Sequence, residues 1–283
     1  MKLQYEMLDI LKGRFREDEK TKATEEKYLR DAKAFVAYGE GREITKELVV
    51  EFKRYLGQRY EVSSANSMLA AVNYFLRTIG CGECVVKAFR VQHAAFRDKD
   101  RELTREEYLR LLAAARGKGD MRLYLIMQTI CATGIRISEL PFITVEALNT
   151  RRAQVSLKGK TRTVILPMAL CRELQNYARK QRIHSGSIFI TESGRPVDRS
   201  NVLHDMKKLS EAAQVPAGKV FPHNLRHLFA VTFYQAERDV CRLADLLGHS
   251  SINTTRIYTS VSCEEQEAQV NALGLCFGVK ITS

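Results

Sequence analysis

Apolar residues recur with a helical period over most of this chain. Between residues 24 and 38, Tyr28, Ala32, Phe35 and Val36 fall on one stripe. Between 46 and 60, Val49, Phe52, Tyr55 and Leu56 do the same, because side chains three and four apart share a helix face. Ser63 or Ser64 is placed to cap a third helix, which runs through Met68, Ala71, Val72, Phe75 and Leu76 and stops at Gly80. Residues 1–16 supply a fourth. Together these predict a helical bundle over roughly the first 90 residues.

The pattern then breaks. Residues 91–103, with Arg97-Asp98-Lys99-Asp100-Arg101, are charged and carry no apolar period. The division this suggests is an N-terminal unit 1–96, a linker 97–103 and a second unit 104–283. Thr104-Arg105-Glu106-Glu107 reads as a capping box that opens a helix carrying Tyr108, Leu111, Leu112 and Ala115. A more apolar helix follows over about 120–132. Only one region alternates with period two. Residues 153–157 and 162–166 flank a turn at Lys158-Gly159-Lys160-Thr161, and Ser187-Ile188-Phe189-Ile190 offers a further short strand. Helices return near 168–182, 199–213, 223–236 and 238–247. The fold class predicted is mainly α, an N-terminal helical bundle plus an α-rich domain with a small antiparallel β-sheet.

Charge narrows the partner. The 283 residues hold 45 Lys and Arg against 33 Asp and Glu, a net charge of +12. Residues 1–100 contribute 19 basic and 16 acidic groups, so most of the excess lies in the second unit. Such a surplus suits a polyanion, since phosphate contacts release counterions and steer encounter; a charge kept for solubility is the plainer alternative. The seven cysteines are odd in number, no signal peptide opens the chain, and no apolar run could span a bilayer. A reduced, cytoplasmic protein without a membrane partner is expected. Cys81-Gly82-Glu83-Cys84 has the spacing of half a zinc site, but no second pair accompanies it. A turn with two free thiols is the simpler reading, and neither metal nor cofactor is expected.

The chemistry concentrates in three short segments. Arg136 follows Gly134 and precedes Glu139 by three positions, a spacing at which a carboxylate can orient a guanidinium and at which a surface ion pair is equally ordinary. His223 and Arg226 share that spacing just after Pro222, a helix-start residue. Gly248 reads as a helix C-cap and Ser250 or Ser251 as the next N-cap, which leaves His249 in the corner between two helices. A helix from Ile252 to Thr259 would carry Tyr258, one tyrosine among eleven. Guanidiniums grip phosphate oxygens with a planar fork and stay charged. Two arginines, two histidines and a late tyrosine therefore suit attack of a phenol on a phosphodiester.

The chain resembles the tyrosine recombinases of the phage-integrase and Xer type over nearly its whole length. Ala132-Thr133-Gly134-Ile135-Arg136-Ile137-Ser138-Glu139-Leu140 is similar to the family's first arginine box. Pro222-His223-Asn224-Leu225-Arg226-His227 is similar to its His-x-x-Arg box. Leu246 to Tyr258 resembles its last box, with the tyrosine nine residues past His249. The resemblance implies that Arg136 and Arg226 clamp a scissile phosphate, with Glu139 supporting them. It implies that His249 bonds a non-bridging oxygen, that His223 moves the phenolic proton, and that Tyr258 forms a 3′-phosphotyrosine leaving a free 5′-hydroxyl. No ATP or metal is implied. The family's general acid is a hairpin lysine, here Lys160, although the hairpin is shorter than the family pattern and Lys158 is a rival.

The same resemblance implies that the first unit is a SAM-like core-binding domain, with Lys20, Lys22, Lys27 and Arg30 as candidates for its phosphate-facing side. It implies double-stranded DNA as partner and a homo-tetramer on two DNA sites, with accessory DNA-bending proteins a possible addition. The apolar tail Leu273–Val279 would dock on a neighbouring subunit or pack on its own domain. A type IB topoisomerase-like nicking and resealing activity, or a DNA-binding regulator without catalysis, are the competing readings.

Overall fold

The computed structural model describes residues 1–90, 99–157, 159–249, 251–258 and 263–273. The chain divides into two compact units, Met1–His93 and Ala94–Ser283.

The first unit is built on four helices: α1 (Met7–Glu17), α2 (Lys22–Gly39), α3 (Lys46–Arg59) and α4 (Val62–Thr78). Their apolar stripes meet in one core that includes Phe35, Phe52, Leu56, Phe75 and Leu76, and such burial is the main stabilising term. One expectation changes here. The third predicted helix begins at Val62, so Ser63 and Ser64 lie in its first turn rather than at its cap. Lys27 and Arg30 both pair with the buried carboxylate of Asp31, at 2.6 and 3.2 Å, while the Arg30 side chain stays 73% exposed; this pairing is compatible with either one facing phosphate. Cys81 precedes and Cys84 ends a short 3-10 turn, Gly82–Cys84, both buried against this core.

The second unit places α5 (Arg105–Gly117), α6 (Met121–Thr133), α8 (Met168–Lys180) and α10 (Pro222–Glu237) around a larger apolar core. Shorter helices α7 (Val145–Thr150), α9 (Arg199–Lys207), α11 (Val240–Leu247) and α12 (Cys263–Ala272) complete it. The capping box forms as expected. Thr104 Oγ1 accepts from Glu107 N at 3.2 Å, and Glu107 Oε2 accepts from Thr104 N at 2.8 Å. Among the described residues the sheet is one antiparallel hairpin, β1 (Arg152–Leu157) paired with β2 (Lys160–Ile165), in register Leu157 to Lys160 and Val155 to Arg162. The hairpin loop is two residues shorter than the four-residue turn anticipated, because Lys160 and Thr161 are in strand.

Residues 187–190 do not form the third strand. Ser187 and Ile190 make isolated bridges to Thr144 and Pro196 instead, while Ile188 and Phe189 are buried. Burial of a short apolar run is what its composition dictated; pairing needed a partner strand that this region lacks. The expected helix 199–213 also ends early, at Lys207, and continues as turns.

Candidate active site

Three helix ends build the site. Helix α6 terminates at Gly134, which adopts the left-handed conformation (φ 65°), a backbone state that glycine enters without penalty. The chain reverses there and Arg136 starts a 3-10 turn, Ile137–Phe142. Glu139, 2% exposed, folds back under it. Its carboxylate accepts from Arg136 N at 2.7 Å and from Arg136 Nη1 at 3.1 Å. The spacing of three thus acts through a tight turn rather than an α-helix, and the carboxylate is buried, unlike that of a surface pair.

Helix α10 begins with Pro222 at its first position, where a missing N–H costs nothing. Asn224 fixes that end by donating to Lys219 O at 2.8 Å and Arg101 O at 3.0 Å. One turn in, Arg226 is 2% exposed. Its Nη1 donates to Gly134 O at 2.6 Å and its Nη2 to Leu247 O at 2.8 Å. Those carbonyls are the orphan acceptors at the ends of α6 and α11, where the helix dipoles place partial negative charge. A guanidinium can be buried there because two helix termini neutralise part of it.

Helix α11 stops at Gly248, again left-handed at φ 64°, and His249 occupies the corner beyond it. His249 Nε2 lies 3.0 Å from Arg226 Nη2, and His249 Nδ1 lies 2.8 Å from Thr255 Oγ1. Ser251 caps the next element, accepting from Asn253 N, but that element is a pair of 3-10 turns, Ile252–Thr254 and Arg256–Tyr258, in place of the helix expected. The tighter winding turns Tyr258 inward. It is 2% exposed, with its ring centroid 6.2 Å from that of His249 and 5.1 Å from that of His227.

Arg136, Glu139, Arg226, His249 and Tyr258 therefore come together. His223 is exposed on the first turn of α10, and among the described residues no hydrogen bond joins it to Tyr258. Lys158 and the side chain of Lys160 lie outside the described residues; Lys160 is placed only as the first residue of β2. The sequence reading passed over three residues. Arg162 Nη2 donates to Glu139 Oε2 at 2.7 Å, and its Nη1 donates to Leu246 O. Thr255, fully buried, orients His249. His227 faces Tyr258 and lies 2.9 Å from Glu102 Oε1. All three stood inside or beside the quoted motifs, Arg162 directly after the Lys158–Thr161 turn.

Electrostatics follow from this crowding. Burial, then Arg136, brings the Arg226 guanidinium down to about 10. Burial, then Arg226, Arg136 and Arg162, pushes His249 down to about 4. His223, exposed in part, is lowered by desolvation on the side of its ring that faces the protein and then by Arg226. The Tyr258 phenol is raised by burial, against a smaller opposite pull from Arg226. Cations gathered beyond what Glu139 balances favour an anion at this point, and an anion with several oxygens would engage more than one of them.

Comparison with known proteins places this geometry. The phage integrase family's sequence model matches residues 101–265. The tyrosine recombinase XerA of Pyrococcus furiosus is 28% identical over 221 residues, covering 76% of each chain. A crystal structure of XerA recombinase superposes with a TM-score of 0.53 at 24% identity, over 96% of this chain and 99% of that one. A lambda integrase dimer bound to a COC′ core site matches with a TM-score of 0.73 at 17% identity, over the full length of both chains. Among the described residues no helix is long and apolar enough to cross a membrane. With Arg136, Arg226, His249 and Tyr258 of the three boxes brought together and the family model spanning more than half its length, this chain belongs to the phage integrase family, the tyrosine recombinases.

Proposed function

We propose that the protein is a site-specific DNA recombinase that cuts and rejoins strands through Tyr258. In this reading Arg136 and Arg226 clamp the scissile phosphate, Glu139 holds Arg136 in place, and His249 contacts a non-bridging oxygen. The Tyr258 phenolic oxygen attacks phosphorus and the phosphorus–O5′ bond breaks, with its electron pair going to O5′. Lys160 donates the proton that O5′ needs, and His223 receives the phenolic proton. The product is a 3′-phosphotyrosine and a free 5′-hydroxyl. Attack by a second strand's 5′-hydroxyl reverses the chemistry, so bond energy is conserved without ATP or a metal. The helical first unit, of SAM-like core-binding type, would grip the duplex with the second unit 104–283, and a homo-tetramer on two DNA sites would be the working assembly. The lambda integrase structures in complex with DNA, one of them a tetramer on a Holliday junction, support that arrangement.

The observation that carries the reading is the meeting of buried Arg226 and Tyr258 with half-buried His249 from separate elements. A fold kept only for binding has no chemical use for a phenol packed beside a guanidinium. The test is covalent capture. The protein is incubated with sheared DNA of its own host, denatured, and digested, and DNA carrying a tyrosyl peptide is sequenced. A duplex built on the recovered site and nicked beside the cleavage position should trap an adduct that survives EDTA and disappears in Tyr258→Phe. Specific binding without any adduct would favour the regulator.

A further inference from the structure

We propose that Arg162 is a positioning residue that ties the β1–β2 hairpin, and with it the general acid, to the phosphate clamp; this rests on the recombinase reading of the same site. Three independent contacts converge on its side chain. The guanidinium donates to Glu139, the carboxylate that also holds Arg136. It donates a second time to Leu246 O, at the end of α11. Its Cδ and Nε pass so close over Gly248 that a Cβ added there would lie 2.4 and 2.7 Å away. Gly248 thus has a steric reason to be glycine besides its left-handed backbone, and the residue after it is His249.

Strand geometry turns those contacts into a function. In β2, Arg162 and Val164 point inward while Thr161, Thr163 and Ile165 are exposed, as alternation requires. A two-stranded hairpin is at best marginally stable by itself in water, so β1 and β2 depend on anchors outside the sheet. Val164 anchors β2 to the apolar core. Beyond it toward the loop, Arg162 is the residue that joins β2 to Glu139 and to α11. Lys160 lies two positions further along the same strand. A lysine could not substitute, because a single ammonium lacks the planar fork that spans a carboxylate and a carbonyl at fixed angle. The buried Arg162 Nε makes no hydrogen bond, a cost consistent with a side chain held by its two ends rather than by full satisfaction.

If Arg162 acts through the general acid, its loss should matter only when the leaving group needs a proton. A substrate with sulfur replacing the bridging 5′-oxygen makes the distinction. Its phosphorus–sulfur bond breaks with the electron pair leaving on sulfur as a thiolate, stable near neutral pH because thiols ionise around pH 8.5. The experiment uses the nicked duplex described above, with oxygen or sulfur at the bridge, and the full chain carrying Arg162→Met or Arg162→Lys. Both variants should cleave the oxygen substrate about 10²-fold more slowly, the low end of what general acid catalysis contributes, and cleave the sulfur substrate near the parent rate. Lys160→Ala should behave alike. Equal slowing on both substrates would place Arg162 in the clamp or in folding, and no slowing would remove its role; either overturns the proposal. Should Arg162→Met not fold, the Lys variant still decides between these outcomes. If the unsubstituted chain forms no adduct on either substrate, the recombinase reading itself fails and this inference goes with it.

Discussion

Arg226 Nη2 and His249 Nε2 stand 3.0 Å apart, and their chemistry allows only one arrangement of protons. A guanidinium donates and never accepts, so Nε2 offers its lone pair. The ring proton then sits on Nδ1 and is donated to Thr255 Oγ1 at 2.8 Å. His249 is neutral in this state, in keeping with its descent to about 4. To donate to a phosphate oxygen through Nε2 it must carry a proton there, which takes up the lone pair and ends the bond from Arg226. An arriving phosphate supplies the negative charge that favours that protonation.

Stability should record that neutral histidine. In the unfolded chain histidine titrates near 6.5, whereas His249 folded does so near 4. Between those values the unfolded state binds more protons, so folding stability rises with pH and is lost as pH falls from about 6.5 toward 4. His223, also lowered, adds to the same slope. Thermal unfolding of the DNA-free protein at pH 7 and pH 5 should show the decline. His249→Gln, whose side-chain oxygen can accept from Arg226, should flatten it in part. The same slope in both proteins would mean that the imidazole is charged or unlinked to folding.

Glu139 carries a different burden. Its single carboxylate lies between two guanidiniums, 3.1 Å from Arg136 and 2.7 Å from Arg162, and is 2% exposed. Glu139→Gln keeps the shape but removes the charge and presents an N–H group to donors. Breaking a buried pair from one side costs about 3–5 kcal/mol. Arg136 is 42% exposed and recovers water, which brings the expectation to about 2–3 kcal/mol once solvent screening is allowed for. Chemical denaturation should show that loss. Arg136→Ala should cost much less, since it strips one contact and leaves Glu139 paired with Arg162.

The same residues show how far a sequence can be read. Gly134, Pro222 and Gly248 announce their elements because each solves a backbone problem that other residues handle badly, and all three elements end or begin as anticipated. The motif spacing therefore located Arg136, Glu139, Arg226 and His249 closely. Arg162 and Thr255 were not legible, since their partners lie 23 and 6 positions away and neither residue type signals burial in advance. The winding that carries Tyr258 departs from the expected helix for a local reason. Ser251 caps a 3-10 turn as readily as an α-helix, and the difference of winding decides which way position 258 faces.

DNA affinity should depend steeply on salt. The net charge of +12 is concentrated after residue 100, and neutralising six or more phosphates would cost about 10³-fold in affinity between roughly 50 and 200 mM salt. A filter-binding or anisotropy titration on the captured site measures it. Lys27 and Arg30, held by Asp31, should contribute little, so Lys27→Ala or Arg30→Ala should leave the slope nearly unchanged. A clear loss of slope in either would mean that Asp31 releases them to phosphate, while a flat response of the parent chain would mean that few phosphates of the duplex are contacted.

Gly134 is where packing and chemistry are most tightly joined. A Cβ there would lie 2.4 and 2.6 Å from ring atoms of Phe229 and 3.1 Å from Leu247, in a backbone state with φ +65°. The left-handed conformation costs an L-residue about 1–2 kcal/mol, and displacing a packed ring adds about 1–3 kcal/mol. Gly134→Ala should therefore destabilise by about 2–5 kcal/mol, read by denaturant unfolding. Combining it with Phe229→Leu should relieve the steric part and leave the backbone part, a non-additivity that a double-mutant cycle measures directly. Because Gly134 O accepts from Arg226 Nη1 at 2.6 Å, a shift of this turn also moves the buried guanidinium. Cleavage should then fall even in the double variant, where most stability has returned. Recovery of both together would show that Arg226 does not depend on this carbonyl for its position.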